Sequence, residues 1–309
     1  MGELNQTRVA GCLAFVALTI VAPLVRSFTG INPPRLSPEQ TPLPRLLHRV
    51  LEEEKVKERL IIIGDVHGCF QELKDIVQRL GVEDSPATVI LAGDLVNKGP
   101  KSAEVVRYAR EKGFYAVTGN HENLGIAARL GRGRFKDAKK SKLRSFQWAK
   151  ELSTDDVEWL MALPYTISLP SHQAIVVHAG LVPGIPVEEN TPADMSMMRN
   201  VGTWQPKCAD SRETVCSAGS AEPPQDSRLV AWDKGGEGCH AWAKAWKGPM
   251  HVFFGHDAKR GLQEEAFATG LDTGCVYGRS LTACVLTDRG RCREIVSVPA
   301  RMVYEEPGK

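Results

Sequence analysis

The sequence of 309 residues has no CxxC pair, no internal repeat and no marked excess of either charge. Its eight cysteines are scattered, which argues against a zinc-ribbon domain. A net charge of +2 is too small to attract a polyanion to the whole molecule, so such a preference would need a local basic patch. With 42% hydrophobic residues the chain is too apolar for disorder, and its length suits one catalytic domain with appendages.

Charge is also missing from residues 9–25, which read VAGCLAFVALTIVAPLV. Their number is at the short end of the roughly 17–25 residues that cross a bilayer. The segment predicts a single membrane span or uncleaved signal within a leader at 1–30, and hence a membrane-anchored protein. The alternative is a cleaved signal peptide or organelle presequence, which would give a secreted or organellar protein. A proline-rich linker is predicted at 31–45, followed by a catalytic domain at 46–309.

Hydrophobic runs alternate with amphipathic segments in the globular part. The patterns predict a strand at 60–63, a helix at 70–80, a strand at 88–92, a helix at 101–112 and a strand at 114–118. This βαβαβ order favours a parallel α/β sheet with helices on its faces. Further strands are predicted in AIVVHAG, HVFFGHD, RSLTACVLT and REIVSV, and a capping box of Ser153 and Asp156 begins a later helix.

Five of the predicted strands end in a polar cluster that contains glycine. In open α/β sheets, ligands bind outside the carboxyl ends of the strands, so we expect these clusters to meet at one site. Any single histidine could be an ordinary core or surface residue, but carboxylates, imidazoles and one amide together are what a pair of transition-metal ions requires. Asp94 is the candidate bridge between two ions about 3.5–4 Å apart. The clusters are Gly64-Asp65-Val66-His67-Gly68, Gly93-Asp94, Gly119-Asn120-His121-Glu122, His178-Ala179-Gly180 and Gly255-His256-Asp257.

In this order, GDVHG, GDLVNKG, GNHE, HAG and GH resemble the motifs of the phosphoprotein-phosphatase superfamily of two-metal phosphoesterases, over about residues 58–300. GDLVNKGPKS and LDTGCVYGRSLTACVL are similar to the ApaH-like phosphatases within it. The resemblance implies a four-layer αββα sandwich and two divalent ions, drawn from Mn, Zn, Fe and Co. The ligands that it implies are Asp65, His67 and Asp94 for the first ion, and Asp94, Asn120, His178 and His256 for the second.

The resemblance also makes His121 the general acid that protonates the leaving oxygen. In the protein phosphatases this histidine is paired with an aspartate, where this chain has Asn97, so Asp257 is considered as a substitute partner. Lys98, which stands where those enzymes have an arginine, and Arg199 are the candidates for binding phosphate oxygens. The alternative for both is a solvated surface side chain.

A run of positive charge follows the GNHE motif, within a helical cap predicted near 125–162. At the mouth of the site it would concentrate a polyanion and steer it inward. A solvated helix face, or a nucleic-acid or lipid patch, is the alternative. The candidate steering residues are Arg132, Arg134, Lys139, Lys140 and Lys142.

The sequence therefore predicts a metal-dependent hydrolase of a polyanionic phosphate substrate, with inorganic polyphosphate first because it needs no base-stacking residue. Trp148, Trp204, Trp242 and Tyr277 could stack a base, although such residues more often pack the core. The alternatives are hydrolysis of a dinucleoside tetraphosphate or an mRNA cap, a protein serine/threonine phosphatase, and a membrane-anchored pseudoenzyme that only binds polyanions. Resemblance to fungal vacuolar endopolyphosphatases places the anchored protein in an endomembrane or vacuole, and no protein partner is inferred.

Overall fold

Hydrophobic runs of the chain form the strands of two large β-sheets. The computed structural model describes residues 36–139, 143–203, 229–236 and 238–307. The strands are β1 (His48–Val50), β2 (Arg59–Ile63), β3 (Ala87–Leu91), β4 (Tyr115–Ala116), β5 (Thr166–Leu169), β6 (Ala174–Val177), β7 (Asn200–Thr203), β8 (Leu229–Trp232), β9 (His240–Ala241), β10 (His251–Phe254), β11 (Gln263–Glu265), β12 (Ala268–Gly270), β13 (Ser280–Thr287) and β14 (Cys292–Pro299).

Short α-helices connect these strands. Ser153 begins one of them as predicted, because its side chain accepts a hydrogen bond from the N–H of Asp156 while the Asp156 carboxylate accepts from the N–H of Ser153. In the described residues the helices are α1 (Phe70–Arg79), α2 (Ser102–Glu111), α3 (Asn120–Leu130), α4 (Thr154–Met161), α5 (Pro192–Met197) and α6 (Trp242–Ala245).

The first sheet contains the predicted βαβαβ unit. Its order is β14-β13-β2-β3-β4; β2, β3 and β4 run parallel, and α1 and α2 follow β2 and β3 in the chain. β4 is shorter than the predicted strand at 114–118, because the N–H of Thr118 donates to the carbonyl of Pro164 (2.8 Å) instead of to β3. The carboxyl ends of the three parallel strands therefore lie at one edge of the sheet.

The second sheet has the order β1-β5-β6-β10-β12-β11. Its central strands β6, β10 and β12 also run parallel to one another. β1, β5, β11 and β12 were not among the predicted strands, since each has at most four residues and lacks a continuous hydrophobic run. The second sheet thus presents its own set of strand carboxyl ends.

Alternate residues of the central strands face two different cores. In β2, Ile61 and Ile63 pack with the helices, whereas Leu60 and Ile62 pack against residues of the second sheet such as Val176. Both faces are buried, as expected for a strand that reads as an unbroken hydrophobic run. The two sheets are therefore stacked face to face, with α1 and α2 outside the first.

The outer face of the second sheet is covered differently from the prediction of helices alone. Trp242 of α6 and Met195 of α5 pack on Val177 and Phe254. The small antiparallel sheet β8-β7-β9 contributes to the same cluster through Val201. The result is the predicted four-layer α/β sandwich, whose fourth layer mixes short helices with a small sheet.

Part of the predicted linker at 31–45 packs on the catalytic domain. Ser37 and Thr41 are buried and their hydroxyl groups are 2.6 Å apart, and Leu36 pairs with Pro42 across this turn. Glu39, within the turn, forms an ion pair with Arg134. Residues 36–42 thus fold as a turn with contacts to the body.

The prediction of a membrane-anchored protein requires correction. No helix in the described part of the chain is long and apolar enough to cross a bilayer, since the longest, α3, has 11 residues where about 20 are needed. The uncharged segment at 9–25, on which the prediction of a membrane span and of an endomembrane or vacuolar location was based, lies outside the described residues.

Candidate metal centre

The ligand residues predicted from the sequence lie at the carboxyl ends of the central strands of both sheets. They are Asp65 and His67 after β2, Asp94 after β3, Asn120 at the start of α3, His178 after β6 and His256 after β10. All but Asn120 are buried. His67, Asp94 and His256 have positive φ angles of 46°, 47° and 68°. Non-glycine residues rarely adopt this strained conformation, and it concentrates at functional sites.

Two glycines allow the sheets to come together at this point. A Cβ atom at Gly93, in the first sheet, would collide with the ring of His178 from the second. A Cβ atom at Gly255, in the second sheet, would collide with the carboxylate of Asp65 from the first. Each sheet therefore leaves room for a side chain of the other.

Asp94 is the residue around which the others gather. Its Oδ2 atom lies 3.5 Å from Nε2 of His67 and 3.4 Å from Nε2 of His178, and its Oδ1 atom accepts a hydrogen bond from the N–H of His121. Asp94 belongs to two groups of ligand atoms that lie within 4.8 Å of one another: His67, Asp94 and His121, and Asp94, His178 and His256. This shared position is the one that a bridging ligand would occupy.

Three histidines donate from one ring nitrogen to a backbone carbonyl. The pairs are His67 Nδ1 with Val96 (3.1 Å), His178 Nδ1 with Ala92 (2.9 Å) and His256 Nε2 with Met197 (3.0 Å). Because a carbonyl oxygen only accepts, each bond fixes a tautomer and leaves the other nitrogen as an acceptor in the neutral ring. Metal-binding histidines in proteins are oriented in this way.

Around His178, several acceptors converge. Its Nε2 atom lies 3.1 Å from Oδ1 of Asn120 and 3.4 Å from Oδ2 of Asp94, and its proton is already on Nδ1. Burial lowers the pKa of His178, but the Asp94 carboxylate outweighs burial and leaves this pKa above its ordinary value. A divalent cation among the three lone pairs would satisfy them without a second proton, which is the behaviour of a metal-ligand set.

The site contains three buried carboxyl groups, whose negative charge favours the binding of cations. Asp65, Asp94 and Asp272 are each at most 4% exposed, and no described lysine or arginine lies within 4.0 Å of their carboxylates. Burial, together with Asp272 and Asp94, raises the pKa of Asp65 well above its usual range. Burial would also raise the pKa of Asp94, but His178 and His121 hold it well below the ordinary value. Buried carboxylates are costly without a cation, so this donor set fits divalent ions.

Two successive hydrogen bonds, from Trp148 to Asn97 and from Asn97 to His121, orient the His121 ring. The Trp148 indole N–H donates to Oδ1 of Asn97 (3.2 Å), which turns the Asn97 amide nitrogen toward Nδ1 of His121 (2.8 Å). Because the amide nitrogen only donates, Nδ1 accepts and the neutral ring carries its proton on Nε2, which lies 4.0 Å from Oδ2 of Asp94. Burial lowers the pKa of His121 to about 4, so the ring is neutral near pH 7.

Comparison with known proteins supports this geometry. The sequence profile of the calcineurin-like phosphoesterase family matches residues 58–260, a range that contains every member of the two ligand groups. The chain belongs to this family. As a calcineurin-like phosphoesterase it is a metal-dependent hydrolase that uses two divalent ions, which confirms the predicted enzyme class and cofactor. Of the predicted ligands, His67, Asp94, His178 and His256 belong to these two groups, whereas Asp65 and Asn120 do not, and the assignment of all six as ligands stays a prediction.

Named relatives span most of the chain. It is 28% identical over 263 residues to the asymmetrical bis(5'-nucleosyl)-tetraphosphatase PrpE of Bacillus subtilis, covering 79% of this chain and 96% of that protein. It is 27% identical over 304 residues to the zinc-dependent endopolyphosphatase of Saccharomyces cerevisiae, covering 88% of each. A crystal structure provisionally assigned as a diadenosine tetraphosphatase matches with a TM-score of 0.65 and 35% identity, covering 82% of this chain and 98% of that one. These comparisons confirm the resemblance to ApaH-like phosphatases.

The phosphoesterase site opens into a cavity of about 570 Å³. Lys98 and Arg199 both line it, and their binding of phosphate oxygens stays a prediction. The Lys98 ammonium lies 2.8 Å from Nε2 of His67, whereas Arg199 forms an ion pair with Asp233 and also donates to the carbonyl of His256. The lining residues are His67, Asp94, Lys98, Asn120, His121, Arg199, His256, Ala258, Lys259, Asp272, Tyr277, Arg279 and Pro307.

Two buried acids at the site received no role from the sequence. Glu122 is fully buried and its carboxylate accepts from the N–H groups of Asp94, Leu95 and Gly119, so it ties the ends of β3 and β4 together. Asp272 follows β12, a strand of three residues without a hydrophobic run. The GNHE motif could have pointed to Glu122, and the LDTGCVYGRSLTACVL stretch, which contains Asp272, could have pointed to Asp272.

The predicted steering residues have a different arrangement from the expected basic wall. Arg132 and Lys139 are exposed and do not line the cavity. Arg134 is paired with Glu39 (2.7 Å) beside a separate, narrow cleft that it shares with Asn120. Lys140 and Lys142 lie outside the described residues. Steering by the cap stays a prediction.

The partner of His121 is Asn97 and not Asp257, because the Asp257 carboxylate pairs with Arg260.

Proposed function

We propose that this calcineurin-like phosphoesterase hydrolyses phosphoanhydride bonds within phosphate chains, with inorganic polyphosphate as its first substrate. The relatives named as tetraphosphatases and as an endopolyphosphatase have substrates that share this linkage. The cavity beside the buried ligand set carries four cationic side chains, Lys98, Arg199, Lys259 and Arg279. Such a wall suits a substrate with several negative charges more than a peptide with one phosphate.

The observation that favours polyphosphate over a nucleotide substrate is that the described lining of the cavity offers no free aromatic face on which a base could stack. Tyr277 is the only phenylalanine, tyrosine or tryptophan among the described cavity-lining residues, and the Lys98 ammonium lies 5.3 Å from its ring centroid. Trp148, in the cap, donates its indole N–H to Asn97, and Trp242 is only 1% exposed, so neither lines the cavity as a stacking surface. Trp204 lies outside the described residues. Base recognition usually needs an aromatic platform, and a phosphate chain needs none.

The side chains of the site can bind the chain and supply a proton. Divalent ions, when bound, acidify water and polarise a phosphoryl oxygen. Lys98 offers a point charge for phosphate oxygens. Arg199 reaches the cavity from its pair with Asp233. His121 presents Nε2–H to the ligand cluster, because Asn97 holds the opposite nitrogen as an acceptor. A leaving oxygen can accept a hydrogen bond from this N–H, and proton transfer to that oxygen requires Nδ1 to take up a proton as well, because the neutral ring would otherwise be left as an imidazolate.

A dinucleoside tetraphosphate is the second candidate. It is favoured by the 35% identity to the structure provisionally assigned as a diadenosine tetraphosphatase. The cavity volume of about 570 Å³ also falls within the roughly 300–1,000 Å³ of small-molecule sites, which leaves room for more than one phosphate group. For this substrate Tyr277 would have to release Lys98 and stack on a base.

A substrate panel tests the proposal. Medium-length polyphosphate, diadenosine tetraphosphate, capped RNA and a phosphopeptide are compared by kcat/KM with Mn, Zn, Co and Mg. Polyphosphate is expected to be cleaved best, and the phosphopeptide at least about 100-fold less efficiently, because it cannot engage several cations at once. Faster turnover of the phosphopeptide would overturn the proposal, whereas a preference for diadenosine tetraphosphate would select the second candidate.

A further inference from the structure

Two cations at the rim of the catalytic cavity form no ion pair with a carboxylate in the described part of the chain. Lys259 follows β10, and Arg279 directly precedes β13. Both are exposed and both line the cavity that contains His67, Asp94 and His256. Arg279 lies within the LDTGCVYGRSLTACVL stretch, but neither residue was assigned a role in chemistry from the sequence.

Two neighbouring arginines, unlike Lys259 and Arg279, form ion pairs with carboxylates of the protein. Arg199 is paired with Asp233, and Arg260 is paired with Asp257 and also donates to Asn200. By contrast, no carboxylate in the described part of the chain lies within 4.0 Å of the charged groups of Lys259 or Arg279. Exposed cations beside a negatively charged ligand's cavity, without an intramolecular partner, are available to bind that ligand.

Arg279 is nevertheless held in place. Its Nη2 atom donates to the carbonyl of Ala258 (2.6 Å), so the guanidinium is tied to the backbone of the residue before Lys259. The guanidinium packs over Gly274, where a Cβ atom would come within 2.7 Å of Nε. Gly274 has a φ of +71°, which also favours glycine at this position. The arginine is thus positioned at the rim, with its remaining donors available.

We propose that Lys259 and Arg279 form an outer phosphate subsite, which binds phosphate groups of the chain beyond the one at the ligand cluster. The inference rests on the proposed function, because it assumes a substrate with several linked phosphates. Tyr277 and Lys98 lie in the same cavity between its rim and His67, and Lys98 contacts both the Tyr277 ring and His67. The guanidinium supplies a fork for one phosphate, and the ammonium supplies a point charge for the next.

The test compares a chain substrate with a monoester. In the metal-loaded double variant Lys259→Ala/Arg279→Ala, kcat/KM for tripolyphosphate is expected to fall about 30-fold, and kcat/KM for p-nitrophenyl phosphate less than about threefold. The charge-retaining variant Lys259→Arg/Arg279→Lys is expected to recover most of the difference. The matched control, Lys244→Ala/Arg291→Ala, removes two exposed cations that do not line the cavity. Equal losses for both substrates, or a loss in the control as large as in the rim variant, would overturn the subsite.

A binding measurement separates this inference from the proposed function. Imidotriphosphate, whose bridging nitrogens resist hydrolysis, is titrated calorimetrically into the metal-loaded protein and compared with inorganic phosphate. The rim variant is expected to bind imidotriphosphate at least about tenfold more weakly and phosphate almost unchanged. This result would support the subsite even if the enzyme cleaved no phosphoanhydride. Unchanged imidotriphosphate binding would overturn the subsite even if polyphosphate were the best substrate.

Discussion

Histidines line both the catalytic cavity and a second cavity, and of these two only the catalytic cavity has the properties of a metal centre. The second, of about 410 Å³, includes His172 and His251 together with three arginines, Arg289, Arg291 and Arg293. No described carboxylate lines it. In the catalytic cavity, by contrast, the histidines surround Asp94. Histidine content alone therefore does not distinguish the two.

The difference lies in how the ring nitrogens are used. In the second cavity Arg293 donates to Nδ1 of His251, so Nε2 carries the proton and donates to the hydroxyl of Thr269. Nδ1 of His172 is bonded to the hydroxyl of Ser171. In the catalytic cavity, backbone carbonyls accept from the outer nitrogens of His67, His178 and His256, and the inner nitrogens of His67 and His178 lie 3.5 and 3.4 Å from the Asp94 carboxylate. Metal binding therefore depends on an outer acceptor, an inner lone pair and a neighbouring anion together.

The largest effect that would separate the cavities is expected for Asp94→Asn. Loss of the shared carboxylate should reduce turnover by more than about 10³-fold and remove at least one ion per chain, since an amide neither balances the ionic charge nor bridges well. Kinetics and elemental analysis of the purified protein measure both quantities. His251→Asn, in the second cavity, is the control and should retain both ions. Unaltered turnover in Asp94→Asn would refute the central role of this carboxylate.

A somewhat smaller effect is expected for His121→Asn, which tests whether this residue is an acid or a ligand. As a proton donor, it should contribute about 10²–10⁴-fold to kcat, while the metal content stays at the wild-type level. His121 also lies among the ligand atoms of the first group, so loss of an ion would identify it as a ligand instead. Trp148→Phe, which removes the N–H that orients Asn97, should lower kcat less than His121→Asn does.

The smallest effect concerns stability in the second cavity. Burial and the Arg293 charge lower the pKa of His251 to about 4, so the unfolded chain takes up this proton more readily than the folded one. The contribution is fully present above the ordinary histidine pKa of about 6.5 and is lost as the pH falls toward 4. His251→Gln should therefore lose less unfolding free energy than the wild type between pH 7 and 4.5, as measured by urea denaturation. Parallel losses in both proteins would contradict this assignment.

The central strands that the sequence predicted correctly share one property, burial on both faces. Leu60 to Ile63 form an unbroken hydrophobic run because two cores lie on either side of β2. Strands at the sheet margins, such as β11 with Gln263–Glu265, have no such signal, because their positions depend on pairing with distant residues. Asp272 follows a short strand of this kind, so it is absent from the predicted strand-end clusters although the LDTGCVYGRSLTACVL motif contains it.

The interpretation of the basic run shows the other limit of sequence reasoning. A count of positive charges between residues 129 and 144 cannot reveal that Arg134 meets Glu39, 95 positions earlier in the chain. Nor could it reveal that two further cations of the catalytic cavity, beside Lys98 and Arg199, are Lys259 and Arg279, which lie outside the basic run. The ligand residues were recognisable because each follows a buried strand, so chain order alone carried them to one edge.

The backbone of Gly93 contacts the ring of His178, and the backbone of Gly255 contacts the carboxylate of Asp65; these two contacts set the distance between the two sheets. The spacing of the ligand groups is therefore built into the polypeptide and is not imposed by whichever cation arrives. An engineer who wished to change the ionic radius that the enzyme accepts would have to shift whole layers, whereas its choice of substrate length could be altered at the exposed rim.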